Sequence, residues 1–183
     1  MGAPAGPGMV TVQRRHTAEL TSEELAEARA LCDAAFDGDF ADADWAHALG
    51  GMHALVRDDE GRLVGHGALV LRRVLVGGVP LRCGYVEAVA VAGDVRRAGH
   101  GTRVMESLEA LAPGYDLLAL SASDAGALLY EARGWSRWRG PSSVVTSAGV
   151  VPTPDDDDSL YVLGVGLDLT APITCDWRDG DVW

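Results

Sequence analysis

The chain has 183 residues, 48% of them apolar, which is enough to enclose the core of one ordinary domain; 27 acidic residues against 15 basic ones, all arginine, leave a formal charge of −12. That balance repels nucleic-acid phosphates and anionic membrane surfaces and attracts polycations, so neither nucleic acid nor membrane is an expected partner. No apolar run reaches the ~18 residues of a membrane span, the opening MGAPAGPGMV lacks the parts of an export signal, and Cys32, Cys83 and Cys175 are too scattered for a disulfide framework or a zinc motif; a soluble cytoplasmic protein with reduced thiols is expected.

Residues 1–8, rich in Gly, Pro and Ala, read as a disordered N-terminus, and residues 9–183 as a single domain. Met9 to Arg15 alternates as a strand does. Thr21 with Glu24 forms a capping box, and Leu25, Ala28, Leu31, Cys32, Ala35 and Phe36 recur at helical spacing behind it. The acidic stretch DGDFADADW reads as a loop. Met52 to Arg57, a turn at Asp58 to Gly61, and the apolar run Leu63 to Val76 predict an antiparallel hairpin, and Val79 to Val91 a further strand after a Gly-Gly turn. Val104, Leu108 and Leu111 mark the buried stripe of a second helix, Tyr115 to Ser121 a strand, and about Ser123 to Arg133 a short helix before the aromatic GWSRWRG. Beyond Pro141 come a Ser/Val strand, the acidic run Asp155 to Asp158, a strand over Leu160 to Leu169 and a tail ending DWRDGDVW. The pattern is α+β.

The stretch DVRRAGHGTRVME carries the sharpest chemistry. A strand runs into Arg96, Arg97, Ala98, Gly99, His100, Gly101 and Thr102, and a helix follows. Glycines let backbone approach a ligand and helix N-termini leave N–H groups without partners, so the turn is a cradle for a pyrophosphate, with His100 a further donor. Its spacing, R-x-x-G-x-G, is not the G-x-G-x-x-G of dinucleotide folds, and no acidic residue closes a strand about 20 residues on, which disfavours a nicotinamide cofactor.

With Arg96, Gly99 and Gly101 in place, the sequence resembles the GCN5-related N-acetyltransferases (GNAT), whose acetyl-CoA motif is Q/R-x-x-G-x-G/A. The element order agrees. The stretches CGYVEAVAV, GDFADADWAHALGGMHAL, LYEARGW, TPDDDD and CDWRDGDVW, spread from Asp37 to Trp183, are similar to the aminoglycoside 2'-N-acetyltransferases within that superfamily. The resemblance implies a central, mostly antiparallel mixed sheet with splayed fourth and fifth strands, flanked by helices. It also implies acetyl-CoA as donor, a polycationic aminoglycoside as acceptor, direct transfer in a ternary complex, and a homodimer.

Site residues follow from residue chemistry and from the resemblance together. Glu87 interrupts an apolar strand, where an ionised side chain is costly unless it faces a polar cleft or solvent; the resemblance makes it the base that acts on the acceptor amine. Tyr130 alone reads as a core aromatic on a helix; the resemblance makes it the acid that protonates the departing thiolate. Val89 and Val91 correspond to the strand edge that pairs with the pantetheine arm. Asp39, Asp44, Asp156, Asp181 and the carboxylate of Trp183 correspond to groups that hold substrate amines and hydroxyls, with Trp177 and Trp183 anchoring the tail in the cleft. Ser121 is either a substrate contact or an ordinary strand-end serine. His47, His53 and His66 have no ligand-spaced partner, and no metal is expected. An acetyltransferase for another amine, such as a polyamine or a peptide N-terminus, and a noncatalytic acidic drug-sequestering domain are the rival readings.

Overall fold

A computed structural model describes residues 10–183, so the disorder expected of residues 1–8 falls outside the described residues. The strands are β1 (Thr11–His16), β2 (Met52–Arg57), β3 (Leu63–Val76), β4 (Val79–Val91), β5 (Leu117–Ser121), β6 (Ser136–Arg137), β7 (Ser142–Thr146), β8 (Gly149–Pro152), β9 (Leu160–Leu163) and β10 (Ile173–Cys175). The helices are α1 (Ser22–Ala35), α2 (Asp42–Ala48), α3 (His100–Glu109) and α4 (Asp124–Ala132). All the strands join one mixed sheet in the order β6-β9-β5-β4-β3-β10-β7-β8. The long β3 branches it, pairing with β2 along its first half and with β10 at its end. β1 pairs with β2 at the branch's outer edge. This is the expected mixed α+β sheet flanked by helices.

Alternation along the strands builds a core on each face. Leu118 and Leu120 of β5, with Val86 of β4, pack against Val104, Met105 and Leu108 of α3. Leu117 and Ala119 of β5, with Cys83 and Tyr85 of β4, join Val144, Ile173 and Trp183 on the other face. In β2 the same rule sends Ala54 and Val56 to the α3 face and Leu55 to a smaller cluster with Ala28 of α1. The capping box of α1 forms as expected, the Thr21 side chain accepting from the Glu24 N–H at 3.2 Å.

Two expectations need correction, and one strand is additional to those expected. The acidic stretch expected to be a loop contains α2, and Asp44 lies in that helix, its carboxylate reaching back to accept from the Ala41 N–H at 2.8 Å. The strand expected over Leu160 to Leu169 ends at Leu163; Gly166 takes φ +73° and turns the chain, while Leu167 and Leu169 still pack on the second core cluster. β10, three residues long, slots between β3 and β7, parallel to the latter, because Ile173 and Cys175 are fully buried there.

β4 carries a bulge opposite Gly67: Ala68 pairs with Glu87 and His66 with Ala90, which leaves Ala88 and Val89 as two residues against one. Ala88 takes φ +52°, a left-handed conformation that a residue with a Cβ adopts at a cost of about 1–2 kcal/mol. A buried chain of hydrogen bonds braces it. His66 Nδ1 donates to the Ala88 carbonyl at 2.9 Å, His66 Nε2 and His53 Nδ1 share a hydrogen bond at 2.9 Å, and His53 Nε2 shares one with the Thr17 hydroxyl at 2.8 Å. Burial disfavours the charged form of both rings, pushing each from 6.5 down to about 4. The unfolded chain therefore takes up these protons first as pH falls, and stability is lost from about pH 6.5 downward. Between pH 7 and pH 4.5, urea unfolding of the wild type is expected to lose ~2 kcal/mol more than that of His66→Asn; equal losses would show that the ring is not held neutral.

Candidate active site

Past Tyr85, β4 and β5 part. Their parallel pairing is confined to Cys83–Tyr85 against Leu117–Ala119, beyond which β4 keeps only β3 and β5 keeps only β9. The backbone edge of β4 that carries Val89 and Val91 is thus left open on one side, as a strand-like ligand arm requires. The gap lies in a cleft of about 880 Å³.

At one end of the cleft the chain leaves β4 through Arg96 and Arg97 and enters α3 through Gly99, which takes φ +83° as the helix N-cap. Only glycine adopts that turn without strain. No side chain caps α3, and the N–H groups of His100, Gly101 and Thr102 have no acceptor among the described residues. They form an anion cradle at a positive helix end, with the Arg97 guanidinium unpaired among the described residues beside it. His100 is buried with its Nδ1 unpartnered, and burial lowers its basicity. Open N–H groups, an orphan imidazole nitrogen and an open strand edge fit the pyrophosphate and amide arm of a CoA thioester. Arg96, Arg97, Gly99, His100, Gly101, Thr102, Val89 and Val91 all line the cleft. Ala98 does not; it faces a smaller cavity of about 300 Å³ with His100 and Arg103.

Tyr130 reaches the middle of the cleft from α4. Helical side chains lean toward the N-terminus, and the Tyr130 ring lies over Gly126 one turn earlier, where an added Cβ would sit 3.2 Å from it. Ser123 caps this helix, accepting from the Gly126 N–H at 3.3 Å. Its far end is pinned by Glu109 of α3, which accepts from Arg133 Nε and from Trp135 Nε1, both at 2.8 Å. The ARGW part of LYEARGW is therefore a structural clamp that sets where Tyr130 points. Burial pushes the phenol up to about 12.

The other end of the cleft is acidic. Glu87, placed by the bulge, shares it with Asp39, Asp44 and Asp181, and Ser121 and Trp183 also line it. Burial pushes the Glu87 carboxyl above its usual range, against the pull of Arg178. Asp156 does not line the cleft; it stands close enough to Asp181 that burial, together with that charge, raises its carboxyl as well. The tail folds back over this end, held by Trp183, whose Nε1 donates to Thr153 Oγ1 at 3.0 Å, and by the Arg72–Asp176 ion pair at 2.8 Å. Of the two tryptophans expected as anchors only Trp183, 4% exposed, serves; Trp177 is 60% exposed.

Two cleft residues, Arg178 and Tyr85, were not singled out by the sequence, and a third, His47, was noted there only as lacking a ligand-spaced partner. Arg178 forms an ion pair with Glu87. His47 binds the tail, its Nε2 donating to the Asp179 carbonyl at 2.6 Å. Tyr85 turns its ring toward Arg178 and Arg72, with their guanidinium carbons 5.3 and 4.8 Å from its centroid. Only the repeated polar interruptions of an apolar context, Arg72 in β3 and Tyr85 beside Glu87 in β4, hinted at this cluster. No group of three or more His, Cys, Asp or Glu side chains suited to a metal ion occurs among the described residues, and no helix among them is long and apolar enough to cross a membrane.

Comparison with known proteins agrees with this geometry. The model of the acetyltransferase (GNAT) domain matches residues 16–138. An aminoglycoside 2'-N-acetyltransferase of Mycolicibacterium fortuitum is 51% identical over an alignment covering 100% of this chain and 97% of that protein. Among solved structures, a GNAT family N-acetyltransferase of Escherichia coli in complex with CoA superposes with a TM-score of 0.58 at 18% identity, covering 96% of this chain and 93% of that one. A GNAT family acetyltransferase of Brucella melitensis in complex with acetyl-CoA gives the same score and identity, covering 92% and 97%. The strand that opens at Tyr85, the uncapped helix behind R-x-x-G-x-G and the matched domain together place the chain in the GNAT family of acetyltransferases.

Proposed function

We propose that the protein transfers an acetyl group from acetyl-CoA to the 2'-amine of aminoglycosides, directly within a ternary complex. The observation that carries this reading is the joining, in one cleft, of an anion cradle with an open strand edge at one end and converging carboxylates at the other. The name of the 51% identical relative supplies the substrate class. Bound acetyl-CoA supplies the activated acetyl group. Arg96, Arg97 and Gly99 to Thr102 hold its phosphates, and the β4 edge at Val89 and Val91 holds its arm. Asp39, Asp44, Asp181 and the Trp183 carboxylate receive ammonium and hydroxyl groups of the acceptor, Asp156 adds charge from behind Asp181, and Ser121, whose hydroxyl donates to Ser159 Oγ at 3.1 Å, accepts at the end of β5. Two unlike charges ~4 Å apart at an effective dielectric of ~20 attract by about 4 kcal/mol before desolvation, so several acids together outcompete water for a polyamine.

Glu87 takes a proton from the acceptor ammonium, and Tyr130 gives one to the sulfur that leaves. The three cysteines are all buried and burial holds each thiol high, Cys32 and Cys83 at about 12, so none is a ready nucleophile for an acyl-enzyme. Residues 9–183 work as one domain, and the enzyme as a homodimer. Purified protein mixed with acetyl-CoA and tobramycin is expected to release CoA and yield a product acetylated at N2', read by mass spectrometry and NMR. Turnover with spermidine or a peptide but not with tobramycin, gentamicin or kanamycin B would overturn the acceptor assignment. Heat of binding with drug but none with CoA would point to a sequestering protein instead.

A further inference from the structure

The ion pair between Arg178 and Glu87 is, among the described residues, the one salt bridge whose two partners both line the cleft, and their side chains are only 14% and 13% exposed. Such a pair is not a casual surface contact. Arg178 is placed with care: its Nε donates to the Asp181 carbonyl at 2.8 Å and its guanidinium lies over the Tyr85 ring. The segment carrying it is fixed on both sides, by the Arg72–Asp176 pair before it and by the buried Trp183 after it.

We propose that Arg178 is a positioning residue for acetyl transfer: from the folded tail it holds the Glu87 carboxylate ionised and oriented, so that the base is ready before the acceptor arrives. The inference rests on the function proposed above and deepens it. The cleft that holds Glu87 is also lined by Arg178, Asp181 and Trp183 of the tail, His47 and Asp44 of α2, Asp39 of the loop before α2 and Tyr85 of its own strand, and Arg72 of β3 acts on it as well. Among these the cations are Arg178, Arg72 and, when protonated, His47. Arg72 is committed to Asp176, through Nε at 2.8 Å and through the Asp176 carbonyl at 2.8 Å, and His47 is committed to Asp179. Arg178 alone bonds the base. Without it, burial and the surrounding carboxylates act in the same direction, toward a protonated Glu87 that accepts nothing. The same guanidinium, near the acceptor nitrogen, also favours the neutral amine over the ammonium.

Both effects have one sign. Removing the charge moves the acid limb of kcat/KM to higher pH. Arg178→Gln is expected to lose about tenfold or more in kcat/KM for tobramycin at pH 6, less at pH 9, with CoA affinity by calorimetry unchanged; Arg178→Lys, which restores the charge, is expected to return the limb toward the wild-type position. Arg178→Met, which keeps the aliphatic stem on Tyr85, carries the same expectation should the Gln variant not fold. A uniform loss at all pH values, or a Lys variant displaced as far as the Gln variant, would overturn the inference by reducing Arg178 to a tail anchor. A wild-type enzyme inactive on every aminoglycoside would instead count against the proposed function.

Discussion

Glu87→Gln is expected to lower kcat/KM for tobramycin by 10²- to 10⁴-fold at neutral pH, equivalent to about 3–5 kcal/mol of transition-state stabilisation. Glutamine keeps the size of the side chain and still offers Arg178 an amide oxygen, so the tail and the bulge stay in place while the proton acceptor is lost. The deficit is expected to shrink as pH rises, because solvent then supplies more of the acceptor as free amine and the missing base matters less. Affinity for CoA, held by the cradle at Arg96, Arg97 and Gly99 to Thr102, is expected to stay at the wild-type value by calorimetry. A loss under tenfold with an unchanged pH profile would remove Glu87 as the base.

Tyr130→Phe is expected to cost at least about 10²-fold in kcat with little change in either KM, the signature of an interaction made only in the transition state. The phenol is suited to this: burial holds it protonated to about 12, and no described side chain accepts from its hydroxyl, so the proton is free to go to the thiolate. Phenylalanine fills the same space over Gly126 and against Trp135, whose ring centroid lies 6.1 Å away. Thermal stability is therefore expected to hold, since the hydroxyl makes no hydrogen bond with a described residue that the substitution would remove. A Phe variant with wild-type kcat would return Tyr130 to an ordinary core aromatic.

Much of the architecture was legible along the chain because its signals are local. The Thr21 and Glu24 box, the turn at Asp58 to Gly61, the unbroken apolar runs of β3 and β4 and the glycines at 99 and 101 each declare themselves within a few residues. What escaped depends on contacts between distant segments. α2 is flanked by Ala41 and Leu49, neither of them a capping signal, and has only seven residues, too few for a periodicity to stand out from acidic sequence. β10 is a strand only because β3 and β7 leave a slot for it. The bulge at Ala88 has no sequence mark, as alanine is a poor choice for φ +52°; its brace, His53 and His66, lies on two other strands. Arg178 looked like one more charge in a charged tail, and only the return of that tail to Glu87, 91 positions earlier, gives it a role. The motif residues for the donor were thus readable in one stretch, whereas the acceptor end had to be assembled from β4, α2 and the tail.

The parting of β4 and β5 has a mechanical side. The two halves of the sheet are stitched by three rungs, Cys83 to Tyr85 with Leu117 to Ala119, and past them nothing in the backbone ties one half to the other. Whatever lies in that fork acts as a keystone, bridging two half-sheets whose own backbones no longer meet there.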